Sequence, residues 1–175
     1  MAIWKRGALL LAAVLALAAL VLWEVVGGGE LQTDGEVAPT PLDRELLRQR
    51  EAGQAQVGSE AEGRILFGDL HVHSTLSVDA FQWSLPLVGG EGVHPPADAC
   101  DFARFCSQLD FYSLTDHAEA LTPRSWEMIR NSIRECNAVD SESEQPDLVA
   151  FTGFEWTQIG ATPETHFGHR NVIFK

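Results

Sequence analysis

Positive charge is scarce in this chain of 175 residues: 12 lysines and arginines stand against 25 aspartates and glutamates, a formal net charge of −13. A surface of that sign repels a phosphate backbone, which argues against nucleic acid as the main partner unless metal ions intervene. Cysteine is scarce too, limited to Cys100, Cys106 and Cys136. An odd count gives no disulfide framework, and the six-residue step from Cys100 to Cys106 puts that pair on different sides of a helix. One disulfide stays open in an exported protein, and small buried side chains are the favoured account. Internal repeats are absent, and long apolar runs are absent except for one.

That one run is Gly7 to Trp23, 17 uncharged residues dominated by Leu, Ala and Val and preceded by Lys5 and Arg6. It is long enough to cross a hydrocarbon core with little tilt. The positive flank keeps the N-terminus in the cytoplasm and sends the chain beyond Trp23 to the far, periplasmic side. Residues 1–26 therefore read as an uncleaved signal anchor, in preference to a signal peptide cut at the small residues Ala16 and Ala18; either route exports the domain. Residues 27–63 change character, with a triple glycine, Pro39 and Pro41, many Glu and Gln and almost no large apolar side chains. Such a stretch cannot bury a core and reads as a flexible acidic linker, with a short polar helix possible over Asp43–Glu51. The folded domain is expected from about Arg64, and 45% apolar residues suffice for its core.

Ile65 to Asp79, ILFGDLHVHSTLSVD, organises that domain. Its apolar start reads as a strand delivering polar side chains at its C-terminal end. Strict alternation puts Asp69, His71 and His73 on one face and Leu70 and Val72 on the other. Two imidazoles at i, i+2 on a strand can converge on one divalent ion. Phe81 to Pro96 reads as a Gly- and Pro-rich loop that carries Trp83 and His94. Asp98 to Leu109 comes next as a helix capped by Asp98, with Ala99, Phe102, Cys106 and Leu109 on one face. Phe111 to Leu114 is a second strand ending in Thr115-Asp116-His117. Thr122-Pro123 starts a helix whose apolar face is Trp126, Ile129 and Ile133. Leu148 to Thr152 is a third strand ending in Gly153-Phe154-Glu155-Trp156, and Asn171 to Phe174 a fourth, preceded by Gly168-His169. Alternating strands and helices predict an α/β fold with a parallel sheet. Its strand ends, where sites gather, carry His71, His73, His117 and Glu155.

The ordered set His71-x-His73, Thr115-Asp116-His117, Gly153-x-Glu155 and His169 resembles the polymerase and histidinol phosphatase (PHP) superfamily. The wording DLHVHSTLS, LDFYSLTDHAE, FTGFEW and GHRNVIF is similar to an exported, uncharacterised bacterial branch of it, over about residues 64–175. The resemblance implies the first half of a distorted (β/α)7 barrel, binding two or three divalent ions at its strand ends and hydrolysing phosphoesters. Carried over position by position, it implies His71, His73, Asp79, His117, Glu155 and His169 as metal ligands, with Glu155 able to bridge two ions. At Asp79 the chain departs from the family, because Val78 separates the acid from Ser77. His166 competes with His169. The family's later ligands, a further histidine or cysteine and a closing Asp-x-His, have no counterpart, so a partial chain with an incomplete site, inactive alone, is expected.

The expected chemistry is metal-assisted hydrolysis of a small phosphorylated substrate, with zinc, manganese or iron as the metal; calcium, which takes oxygen ligands, is excluded by the imidazoles. Asp69 and Asp116 are expected to orient imidazoles from behind, and Arg170 or Arg124 to meet a phosphate. His94 is expected to be a loop histidine near the mouth of the site. Three other readings stay open: an exported metal-binding module without turnover, a metallohydrolase of an amide or sulfate ester, and a nuclease. The last is disfavoured by the acidic charge and by export.

Overall fold

The structure, a computed structural model, describes residues 2–25, 33–57 and 65–175. Residues 27–32 and 58–63 of the segment read as a linker, the last residue of the expected anchor, Val26, and the expected domain start at Arg64 lie outside the described residues. The apolar run forms helix α1, Ala2–Val25, whose stretch Arg6–Trp23 has a mean hydropathy of 2.2 and no buried residue. By length and composition α1 can cross a membrane or act as a signal sequence.

Four strands make one sheet in the order β1 (Gly68–Val72), β2 (Phe111–Leu114), β3 (Val149–Gln158), β4 (Gly168–Ile173). The pairs β1–β2 and β2–β3 are parallel, as the alternation of strands and helices predicts. The pair β3–β4 is antiparallel, which corrects the expected all-parallel sheet. A parallel return needs a crossover of about a dozen residues or more, and only Ile159–Phe167 separates the two strands. The sheet curls into a half-barrel, so that Asn171 Nδ2 of β4 donates to Leu70 O of β1 at 2.8 Å.

On the outer side the sheet packs against two helices. Helix α4, Pro96–Asp101, starts two residues before the expected Asp98 cap, from Pro95-Pro96, and runs on as a π-helical turn over Phe102–Cys106. Before it, a short helix α3, Val78–Ser84, occupies the start of what the sequence suggests is loop. Helix α5, Pro123–Ala138, begins with a reciprocal capping box in which Ser125 N donates to Thr122 Oγ1 at 3.1 Å and Thr122 N to Ser125 Oγ at 2.7 Å. Tyr112, Leu114 and Ala150 from the sheet, Ile129 and Ile133 from α5 and Cys100 from α4 form the core. Against the favoured account of small buried side chains, it is the one disulfide left open that forms: Cys100 and Cys136 are bonded, joining α4 to α5, and Cys106 is free and exposed. Beside it Arg104, 1% exposed, donates through Nε to Asp147 Oδ2 at 2.9 Å and through Nη2 to Cys136 O at 3.0 Å.

Part of the segment read as linker is folded. Helix α2, Arg44–Val57, extends beyond the polar helix expected over Asp43–Glu51 and lies against the N-terminal ends of the strands. Leu42 is 3% exposed and its N–H donates to Asp147 Oδ2 at 2.6 Å. Arg50 donates to Leu109 O at 2.8 Å and to Asp147 O at 2.9 Å, and Gln54 donates to Asp110. Polar groups, not an apolar face, dock it, so a search for amphipathic stripes does not find it.

Candidate metal centre

The C-terminal end of β1 carries a local irregularity. Asp69 pairs with Tyr112 and Val72 with Leu114, so three steps on β1 match two on β2. That extra residue is a bulge, and it shifts the side-chain phase. Paired residues share a face, so Asp69 falls on the side of Tyr112 and the helices, while His71 and His73 face inward. The expectation that Asp69 shares their face and orients an imidazole is therefore corrected: its Oδ1 accepts from His71 N at 2.8 Å.

Asp116, fully buried, is likewise corrected from its expected role behind an imidazole. Its Oδ1 accepts from Ser74 N at 2.7 Å and from Ser77 Oγ at 2.9 Å, and its Oδ2 accepts from Ser74 Oγ at 2.9 Å. The Ser77 hydroxyl in turn accepts from His117 N at 2.8 Å. One carboxylate thus ties the loop after β1 to the end of β2 and sets how far His73 stands from His117. Burial pushes its carboxyl above the usual range, against the pull of the Ser74 and Ser77 donors. The same loop opens α3, which presents Asp79 from its first turn; the intervening Val78 points to solvent.

Glu155 arrives on β3. Its N–H donates to Asp116 O at 3.0 Å, extending the parallel pairing past β2 to a bridge between His117 and Glu155. Gly153, two residues earlier, has no room for a side chain: a Cβ there would lie 2.7 Å from Val172 O and 2.9 Å from Ser113 Oγ. This close approach draws β3, β2 and β4 together just below the carboxylate.

Four imidazoles surround the Glu155 carboxylate, which is 2% exposed. Oε2 lies 2.9 Å from His71 Nε2, 2.8 Å from His73 Nε2 and 3.7 Å from His117 Nε2, and Oε1 lies 2.5 Å from His169 Nδ1. Asp79 stands 3.4 Å from both His73 Nδ1 and His117 Nε2. Burial raises the Glu155 carboxyl, but the His71 hydrogen bond and the neighbouring imidazoles outweigh it and hold the group below its ordinary value. Asp79 is also held low, burial being outweighed by the Ala80 N–H together with His73 and His117.

All six residues expected as ligands meet, in three overlapping groups: His71, His73 and Glu155; His73, Asp79 and His117; His117, Glu155 and His169. These groups are able to hold a metal ion. Two donors each about 2.1 Å from a tetrahedral ion lie about 3.4 Å apart, the separation Asp79 keeps from both histidines. His73 Nε2 is buried and, despite its nearness to Glu155, is not aligned for a hydrogen bond with any partner among the described residues. A lone pair in that position is what a cation would satisfy.

The remaining expected residues lie elsewhere. Arg170 is paired with Trp156 across β3–β4, while Glu155 and Thr157 pair with Asn171 and His169. Alternation therefore turns Arg170 to the outer face and away from the three groups, correcting its expected contact with a phosphate. Arg124 is exposed in the first turn of α5, and His166 is exposed and joins none of the three groups. His94 is exposed beside Asp98 at 3.1 Å. It lines a cleft of about 690 Å³ that opens next to His71 and His73 and is walled by Asp69, Asp98, Phe102 and Phe105. The sequence reading missed Ser74, Ser77, Glu119 and Thr157. Thr157 follows Glu155 by two residues on β3, the strand spacing that returns a side chain to the same face, while Glu119 sits in the 3₁₀ turn after His117, where no strand periodicity points to it.

A family model described as a protein of unknown function (DUF3604) matches residues 60–133, a span that includes His71, His73, Asp79 and His117. No curated protein and no solved structure matches.

Proposed function

We propose that this protein is a metal-dependent hydrolase of phosphoesters, held through α1 at a membrane with its domain on the extracytoplasmic side. The observation that carries the reading is a single buried carboxylate, Glu155, within reach of four imidazoles that the ends of β1 and β2 and the hairpin strand β4 supply. The resemblance to the PHP superfamily supports it, the curled sheet then standing as the first half of a larger barrel. His71, His73 and Glu155 would hold one ion and His117, Glu155 and His169 another, with Asp79 between His73 and His117. Zinc, manganese or iron in that place supplies Lewis acidity toward phosphoryl oxygens and acidifies water to near neutrality.

The chain's own residues contribute position and charge. Asp116 fixes the loop that carries His73 toward His117, and Glu155 stays ionised at neutral pH because its carboxyl is held low. No arginine or lysine lines the cleft among the described residues, so the charge of a phosphoryl group would be met by the bound cations. The acidic and aromatic walls suit a substrate whose remainder is small and carries no further negative charge.

The test uses full-length protein in detergent, stripped with chelator and reloaded with manganese or zinc. Expected are tightly bound metal, lost on mutation of Glu155, and hydrolysis of an aryl phosphate. Bound metal with no turnover of phosphate, sulfate or amide chromophores points to a binding module instead. Failure to bind any divalent transition metal overturns the reading.

A further inference from the structure

We infer that Thr157 and Glu119 are positioning residues that hold His117 in the tautomer with a bare Nε2, the state a metal ligand requires. The inference rests on the metal-centre reading for its purpose, but not for its geometry.

His117 has two ring nitrogens with different surroundings. Nε2 faces the carboxylates of Asp79 at 3.4 Å and Glu155 at 3.7 Å. Nδ1 faces away from them, 3.1 Å from Thr157 Oγ1 and 3.6 Å from Glu119 Oε2. A neutral imidazole has one N–H, and the hydrogen bond made by the outer nitrogen decides which nitrogen carries it. The Thr157 hydroxyl can accept and is the one neighbour of the ring aligned for a hydrogen bond among the described residues, so it favours the proton on Nδ1, with the Glu119 carboxylate adding to that pull from 3.6 Å. Asp79 and Glu155 lie near Nε2 without that alignment, which leaves its lone pair toward the cluster.

Glu119 is itself fixed. Its Oε1 accepts from Thr157 N at 2.9 Å, so the carboxylate clamps the 3₁₀ turn Ala118–Ala120 onto β3. Alternation on β3 returns Thr157 to the face of Glu155, and the pairing of Thr157 with His169 brings a second imidazole to the same hydroxyl. His169 Nδ1 lies 3.1 Å from Thr157 Oγ1. His169 Nδ1 also lies 2.5 Å from Glu155 Oε1, a carboxylate that favours a proton on it, and a hydroxyl oxygen has two lone pairs, so Thr157 can accept from both Nδ1–H groups. One side chain thereby spans two of the four imidazoles, and its loss would be felt by both.

The experiment records imidazole ¹⁵N signals of full-length, histidine-labelled protein in detergent, free of metal, at a pH where the rings are neutral. Expected is a His117 spectrum with Nδ1 protonated, which Thr157→Val and Glu119→Gln each shift toward mixed tautomers. Both variants should weaken zinc or manganese binding by roughly 10- to 100-fold. Thr157→Ser, which keeps the hydroxyl, should restore spectrum and affinity, and a side chain needed for packing alone would not be rescued in this way. A wild-type His117 protonated at Nε2, or a Thr157→Val spectrum identical to wild type, overturns the inference. Wild-type protein that shows the Nδ1–H form but takes up no metal overturns the metal-centre reading and leaves the tautomer assignment standing.

Discussion

The Cys100–Cys136 disulfide turns the placement of the domain into a stability measurement. The bond closes a loop with a sequence separation of 36. Chain entropy for a loop of that length amounts to about 13 cal/mol/K, or about 4 kcal/mol at 25 °C, removed from the unfolded state. For a domain of this size 1 kcal/mol moves the melting temperature by roughly 4–8 °C, so the bond should be worth roughly 15–30 °C. Its surroundings keep the loss near that figure, because the sulfurs are fully buried between α4 and α5 and Arg104 Nη1 lies 3.1 Å from Cys100 Sγ. A structural disulfide forms and persists on the oxidising side of a membrane, where α1 as a signal anchor would deliver the domain. The assay compares thermal unfolding of full-length protein with and without reductant, beside a Cys100→Ala/Cys136→Ala double variant. Thiol counting in denaturant should find one group, Cys106. Three reactive thiols in protein recovered from the exported fraction, or a reductant effect below about 5 °C, would refute the reasoning.

The site and core give three further expectations. His71→Ala removes a proposed ligand whose side chain is 55% exposed; metal affinity should fall about tenfold or more while the metal-free protein melts within a few degrees of wild type, and unchanged metal content would remove His71 from the site. Tyr112 is fully buried with a hydroxyl that has no hydrogen-bond partner among the described residues, and burial pushes its phenol well up; Tyr112→Phe should leave stability unchanged or raise it by about 1 kcal/mol, and a clear loss in chemical denaturation would reveal a partner for the hydroxyl. For metal-free protein, Glu155 and Asp79 lie below their ordinary values of 4.5 and 3.8, so the unfolded chain takes up their protons first. Their contribution is complete above those values and is lost as pH falls through the lowered folded ones. Asp116, held high, runs the opposite way: its contribution is present below 3.8 and is lost as pH rises through its raised folded value. Urea midpoints between pH 6 and pH 3 should therefore fall less steeply with acid in Glu155→Gln than in wild type, and an equal slope would contradict the assignment.

What the sequence made legible is the part of the domain where apolar periodicity and burial coincide. Phe111–Leu114 and the Thr122-Pro123 helix start were readable because a short β-rich run and a capping pattern each have one physical meaning. The first part of helix α2 was readable as a short polar helix over Asp43–Glu51, but its full length and its docking were not, since Arg50, Gln54 and the backbone of Leu42 dock through hydrogen bonds to Asp110, Asp147 and strand-end carbonyls, partners 55 or more residues away. The disulfide was hidden for a related reason: spacing between cysteines is informative only when both lie on one element, and Cys100 and Cys136 belong to two helices whose packing the sequence does not specify. Asp116 was misjudged because adjacency to His117 says nothing of direction. Its neighbours Ser74 and Ser77, two hydroxyls three residues apart in a tight loop, were the available signal that a buried acceptor was needed there.

His169 is the residue for which a sequence rule reaches the right place by the wrong route. In parallel α/β sheets, sites lie at the carboxyl ends of the strands, and His169 stands at the head of β4, not at its end. Had β4 run parallel to β3, its second residue would sit at the opposite rim of the sheet, beside the N-terminal ends that α2 covers. The short connection instead folds β4 back, so that its beginning lies against the end of β3 and His169 faces Thr157. The same reversal turns Arg170 outward and puts Asn171 opposite Glu155, within reach of Leu70 O on β1. A hairpin therefore does two things at once that a helical crossover could not: it returns an imidazole to the carboxylate of Glu155, and it draws the two sides of the curled sheet together beneath it.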